Sequence, residues 1–214
     1  MTDRPFRVVR LDELDRIPGE VETTPIRLPL GIRAFGVNAY GAQAAGAPVI
    51  EEHDELGPGA GHHEELYLVL RGRARFTLDG EEADAPAGTL VFVRDPAVRR
   101  GAVAQEPGTT VLVVGGAPGE AFEPSPWESW LAAFPDYQAK EYAKAAEILA
   151  AELERHPDNA NVLYNLACVE SLGGRGGKAL THLQRAVELD PRAREWARSD
   201  ADLDAIRNEP GFPG

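Results

Sequence analysis

The stretch His62-His63-Glu64-Glu65-Leu66-Tyr67-Leu68-Val69-Leu70-Arg71-Gly72 decides how the rest of the chain is read. It passes from imidazoles and acids into an apolar run and stops at a glycine, which is the pattern of a strand leaving a binding site. From Glu65 the side chains alternate, with Glu65, Tyr67 and Val69 on one face and Leu66, Leu68 and Leu70 on the other. Both faces are largely apolar, so the strand is predicted to be covered on both sides. Downstream, Arg73 to Leu78 alternates again, Asp79-Gly80 is a strong two-residue hairpin signal, and Pro86-Ala87-Gly88 turns the chain into Thr89-Leu90-Val91-Phe92-Val93.

Working outward, the pattern from Phe6 to about Ala117 is all-β. Phe6 to Val9, Ile32 to Tyr40 and Val49 to Glu52 read as strands between Gly- and Pro-rich breakers, and Asp12 to Ile17 reads as a helical turn. The last strand of this part is Thr109 to Val114, a β-branched and apolar run ending at Gly115-Gly116. Gly57-Pro58-Gly59-Ala60-Gly61 places a pliable loop just before the histidine pair, and such loops often carry ligand contacts.

Composition then changes. Gly115 to Pro126 is rich in Gly and Pro, and beyond it strand signals give way to helical spacing of Ala, Leu and Glu. The expected division is therefore a β-domain over 1–119, a linker and first helix over 120–134, and a helical segment over 135–214. The helical part repeats: Pro157 and Pro191 lie 34 apart, and at the same offset Ala133 matches Ala167, Ala145 matches Ala179, and Leu149 matches Leu183. Glu152 breaks the match by standing where the second copy has Ala186. Trp196 to Ile206 is expected to cap the end.

The 214 residues suffice for one large domain or two modest ones. A formal net charge of −13 with no dense basic run argues against a nucleic-acid or anionic-membrane partner, since such binding draws on clustered Lys and Arg. Cys168 is the only cysteine, so no intramolecular disulfide can form, and no apolar segment follows Met1 that reads as a signal or a membrane span. The expected compartment is the cytoplasm, and the Arg-, Ala-, Gly- and Pro-rich composition reads as that of a bacterium. Cys168, beside Leu166 and Ala167, reads as a small core residue.

The spacing of Glu65 and Gly72, with Gly88 and the apolar strand after it, resembles the two motifs of the cupin superfamily. That resemblance implies a double-sheet barrel in which two histidines, a glutamate and a third histidine hold one metal ion. The corresponding positions here carry Gly59, Gly61, Glu65 and either Arg99 or Arg100, so only the glutamate is retained. The helical period resembles the tetratricopeptide repeat, which implies helix pairs closely packed through small residues. The fold expected is thus a mainly β, cupin-like double-sheet barrel followed by an all-α helical-repeat segment.

Ligand-binding candidates are His63, Glu65, Tyr67, Arg99 and Arg100. His63 and Glu65 are two apart on a strand and can face one side. Arg99 and Arg100 are adjacent, so at most one faces inward, where it either pairs with Glu65 or holds a carboxylate ligand. No cofactor is expected; a divalent metal would need the displaced set His53, His63 and Glu65. Three readings stand side by side: a small-molecule-binding barrel joined to a protein-interaction module, a metal-dependent cupin enzyme of the dioxygenase or isomerase type, and a structural protein that dimerises through its helices. The expected partners are a small-molecule ligand and, through the helices, another protein or a second copy of this chain.

Overall fold

Nine β-strands and six α-helices lie among residues 6–56 and 60–213, the part of the chain that this computed structural model describes. Gly59 and the middle of the glycine-rich loop fall outside the described residues. The chain divides into two compact units, the first ending at Pro124 and the second beginning at Ser125.

The first unit is built of two antiparallel sheets. One has five strands in the order β1 (Glu22–Pro25), β2 (Gly36–Ala42), β9 (Thr109–Gly116), β4 (Glu64–Arg71) and β7 (Leu90–Val93). The other has four, β3 (Pro48–His53), β8 (Arg100–Ala104), β5 (Arg73–Leu78) and β6 (Glu81–Pro86). Asp79 and Gly80 both take positive φ, 49° and 86°, and join Leu78 to Glu81 across the β5–β6 hairpin, which is the left-handed pair a two-residue turn needs. Tyr67, Val69, Val111 and Val113 from the five-stranded sheet bury themselves with Val49, Ala74, Phe76, Ala102 and Ala104 from the four-stranded one. Small alanines on one sheet face bulkier residues on the other, so the layers interdigitate.

Several strand expectations need correction. Residues 6–10 form no strand and Phe6 and Val8 are exposed; the edge beside β2 is taken by β1, a strand without hydrophobic alternation to announce it. The run from Ile32 becomes strand only at Gly36, after a helical turn, α1 (Arg27–Leu30), closed by Gly31. Strand β9 includes Gly115 and Gly116 and ends there, as expected. The expectation that β4 is covered on both sides also fails. Leu66 pairs across the ladder with Phe92, and Leu68 with Leu90, yet Phe92 is 50 % and Leu90 61 % exposed.

The first unit runs past the expected limit at 119 because Phe122 belongs to it. Its ring lies over Gly36, where an added Cβ would come within 3.2 Å, and Arg27 stands 5.7 Å from its centroid.

The second unit contains α2 (Glu128–Gln138), α3 (Tyr142–Arg155), α4 (Ala160–Leu172), α5 (Gly176–Leu189) and α6 (Ala193–Ser199), then a 3-10 turn at Ala201–Leu203. Helix α2 crosses the expected boundary at 134/135 and includes Pro135, whose carbonyl accepts from Ala139 in the last turn. The side chain of Asn159 accepts from the Val162 amide at 3.0 Å and so caps α4. All six alanines and leucines matched at the 34-residue offset are fully buried, and α3 and α5 begin and end at that same offset. Glu152 is buried too, bonded to Arg155 and 3.5 Å from His156. Leu203 and Ile206 close the end of the core. No helix among the described residues is long and apolar enough to cross a membrane.

Candidate functional site

Polar side chains meet between the two sheets, at the end where β3 stops and β4 and β8 begin. Glu65 and Tyr67 point inward from β4 because they are two apart on one strand. Arg100 lies opposite His53 in the β3–β8 ladder, so these two share the inward face of the other sheet. Space for Glu65 comes from Gly115, its partner on β9: a Cβ there would come within 3.2 Å of Glu65 Cγ and 3.4 Å of His63 Cβ.

Arg100 is 0 % exposed. Its Nη2 and Nε donate to Glu65 Oε2 at 2.8 and 3.1 Å, while Nη1 donates to the carbonyls of Pro96 and Val98 at 3.0 and 2.9 Å. The buried Tyr67 hydroxyl donates to the same Glu65 oxygen, and its ring meets the edge of Phe76 at 5.5 Å. His53 completes the group from the solvent side, its side chain 35 % exposed. Its Nδ1 lies 2.7 Å from the Glu51 carbonyl, and its Nε2 faces Glu65 Oε2 at 3.6 Å and Glu55 Oε1 at 4.0 Å.

Glu55 is the residue that sequence reading missed. It is buried just beyond β3, and its Oε2 accepts from the amides of Gly61 at 2.9 Å and His63 at 3.4 Å. The signal was the His53-x-Glu55 spacing, which carries both side chains to one side if the extended chain continues. His63 is also buried, but its Nδ1 stands 3.9 Å from Glu55 and its ring lies 5.4 Å from that of Phe122. A Cβ on Gly61 would lie 2.2 Å from His63 Nε2, so the imidazole fills the space that a side chain at 61 would take.

The charges follow from this packing. Burial disfavours the Glu65 carboxylate, but the hydrogen bonds from His53, Tyr67 and Arg100 outweigh it and hold the group down at about 2. Burial, then the charge of Glu65, pushes the Tyr67 phenol up, and the guanidinium of Arg100 stays protonated against its burial through Tyr67 and Glu65. Burial opposes a charge on His53, yet Glu65 and the Glu51 carbonyl raise its affinity for a proton.

Two expectations are corrected here. Arg99, the residue just before β8 begins, has a side chain that is 61 % exposed and pairs with Glu52 on the outside. The metal set expected as His53, His63 and Glu65 is replaced: the groups whose ligand atoms come within 4.8 Å of one another are His53, Glu55 and Glu65. The Glu65 oxygen beside His53 already accepts from Tyr67 and from two nitrogens of Arg100, and a cation there would face the guanidinium.

Cys168, Asp200 and Asp202 form a second grouping of this kind in the helical unit. Its bonds are internal: Asp200 accepts from Tyr164 at 2.9 Å and caps the 3-10 turn at Asp202, while Asp202 accepts from Tyr137 at 2.9 Å. Burial and both aspartates push the Cys168 thiol well above its ordinary value, so it stays protonated.

No family model matches this chain. No curated protein matches it either. Among solved structures, it is similar to a cupin protein from Bacteroides fragilis, at 20 % identity over 57 % of this chain and 92 % of the other, with a TM-score of 0.43. A sugar phosphate isomerase from a cupin superfamily of Silicibacter pomeroyi shares 19 % identity over 52 % and 76 % of the two chains, with a TM-score of 0.42. A predicted oxalate decarboxylase from Thermotoga maritima shares 21 % identity over 51 % and 97 %, with a TM-score of 0.40.

Proposed function

We propose that the first unit is a cupin-like double-sheet barrel that binds a small polar molecule without a metal ion, and that α2 to α5 form two tetratricopeptide-like repeats serving protein interaction. The observation that carries the binding reading is Arg100, fully buried and committed to Glu65 and two carbonyls. It supplies the positive charge that Glu65 requires, and its commitment leaves it no part in holding a carboxylate ligand. The part-exposed member of the group is His53, with Glu55 Oε1 4.0 Å from its Nε2. An imidazole and a carboxylate oxygen favour a ligand that offers hydroxyl or ammonium donors. The repeat reading rests on the paired burial at the 34-residue offset.

Calorimetric titration with a panel of small sugars, polyols, amines and carboxylates tests the binding reading. The expected result is saturable binding by a hydroxyl- or amine-bearing member, weakened about tenfold or more by His53→Ala or Glu55→Gln, each removing one charge-assisted hydrogen bond. Binding confined to carboxylates, or binding indifferent to both changes, would sink it.

A further inference from the structure

We propose that the outer side of the five-stranded sheet carries a second binding site, for a small carboxylate, with the guanidinium of Arg71 as its anchor. Arg71 ends the strand that Glu65 nearly begins, and a strand rises about 3.3 Å per residue, so the two sites are separated along β4. A cavity of about 400 Å³ opens at this end, a volume in the range of ligand pockets. Its walls are the segment ahead of β1 on one side and, on the other, the ends of β2 and β4 with the start of β9. The ladder is what brings Arg71 there. Val69 pairs with Val111, but Arg71 pairs with Thr110, so β4 spends one residue more than β9 on this step and Leu70 is the extra one. Such a bulge re-aims a side chain. Without it, the two-residue alternation would send Arg71 to the same side as the buried Val69. With it, Leu70 and Arg71 are both exposed, and both line the cavity.

The charges in the cavity do not cancel. Arg10, Arg16 and Arg71 line it together with two acids, Asp12 and Glu22. Arg10 forks onto Asp12 at 2.8 and 2.7 Å. Arg16 donates to one oxygen of Glu22 at 3.0 Å, and Gln43 donates to the other at 3.1 Å. Both carboxylates are thereby matched, and Arg71 is left over: among the described residues its side chain makes no hydrogen bond and no ion pair. In a chain of formal net charge −13, a cavity with positive charge to spare favours an anion locally. A single surplus charge suits a monoanion better than a phosphate, which carries nearly two negative charges at neutral pH. The guanidinium fork also matches a planar carboxylate through two parallel hydrogen bonds. Leu11 and Leu70 in the lining offer apolar contact to the carbon skeleton of such an acid.

The test is calorimetric titration of the full chain with sodium butyrate, with butyramide as the uncharged counterpart and inorganic phosphate as the competing anion. Butyrate is expected to bind saturably and butyramide not at all. Arg71→Gln should weaken butyrate about tenfold or more, the effect of losing hydrogen bonds to a charged group. Arg75→Gln, which removes a half-exposed arginine from the other sheet, should leave butyrate binding unchanged and so controls for net charge. Since the Arg71 side chain has no partner in the free chain, Arg71→Gln is expected to fold and melt as the wild type does. Butyrate should then raise the melting temperature of the wild type and not that of Arg71→Gln. Butyrate binding that survives Arg71→Gln, equal binding of butyramide, preference for phosphate, or no saturable binding at all overturns the inference. Butyrate binding lost in His53→Ala but kept in Arg71→Gln overturns it too, by placing the carboxylate beside Glu65. Because His53 and Glu55 take no part in this site, its failure leaves the proposed function standing, and failure of that function leaves this site standing.

Discussion

Arg100 and Glu65 stabilise this protein as a pair and burden it singly. Each is buried, so removing one leaves the other's charge without a partner in a low-dielectric interior, at a cost of about 3–5 kcal/mol. Glu65→Leu and Arg100→Met are each expected to lower the unfolding free energy by that much, whereas the two combined should lose less than the sum of the parts; additivity would show that the two do not act as a unit. Acid gives an independent measure. Glu65 titrates at about 2 in the folded chain against an ordinary 4.5, so its contribution is full above pH 4.5 and is lost as pH falls through about 2. The difference corresponds to roughly 3 kcal/mol. Urea midpoints measured across that window should fall steeply in the wild type and less in Glu65→Gln; parallel curves would assign the acid sensitivity to other groups.

At the scale of elements, what is legible in the sequence is what local chemistry dictates. Asp79-Gly80 reads correctly as a turn because few dipeptides accept two left-handed conformations, and β4 reads correctly because its alternation is strong. Strand β1 is invisible, since Glu22-Thr23-Thr24-Pro25 gains its place from pairing with β2 and not from its own pattern. The outer face of β4 was misread as covered because leucines on an exposed sheet face look the same in sequence as leucines in a core. Glu55 escaped notice for a related reason: its role depends on amides at 61 and 63 that the fold brings to it. Gly115 and Gly116 make a sharp test of how tightly the site is built. Gly115→Ala would press a Cβ to 3.2 Å from Glu65 Cγ and 3.3 Å from the Glu64 carbonyl, while Gly116 has nothing within 4 Å. The first change is expected to cost about 1–3 kcal/mol by overpacking and the second to be neutral or slightly stabilising. Equal melting temperatures for the two variants would mean that Glu65 has room to move and that the pairing geometry is looser than described.

At the scale of the whole molecule, the question is where the first unit ends as a folding body. A composition-based boundary at Gly119 follows the Gly- and Pro-rich signal, but it discards Phe122, whose ring covers Gly36, stands beside His63 and receives the Arg27 guanidinium. The apolar cover and the cation–π contact together are worth roughly 1–2 kcal/mol. Two fragments therefore distinguish the boundaries, one comprising residues 1–119 and the other residues 1–124. Both are expected to fold, because the core of the two sheets is complete without helical residues, but the shorter should melt lower by about 4–8 °C for each kcal/mol lost. It should also leave His63 more open to solvent, visible as faster modification of its imidazole by diethyl pyrocarbonate. Identical melting of the two fragments would show that residues 120–124 add nothing to the first unit, and insolubility of both beside a well-folded full chain would show that the helices are needed to complete it.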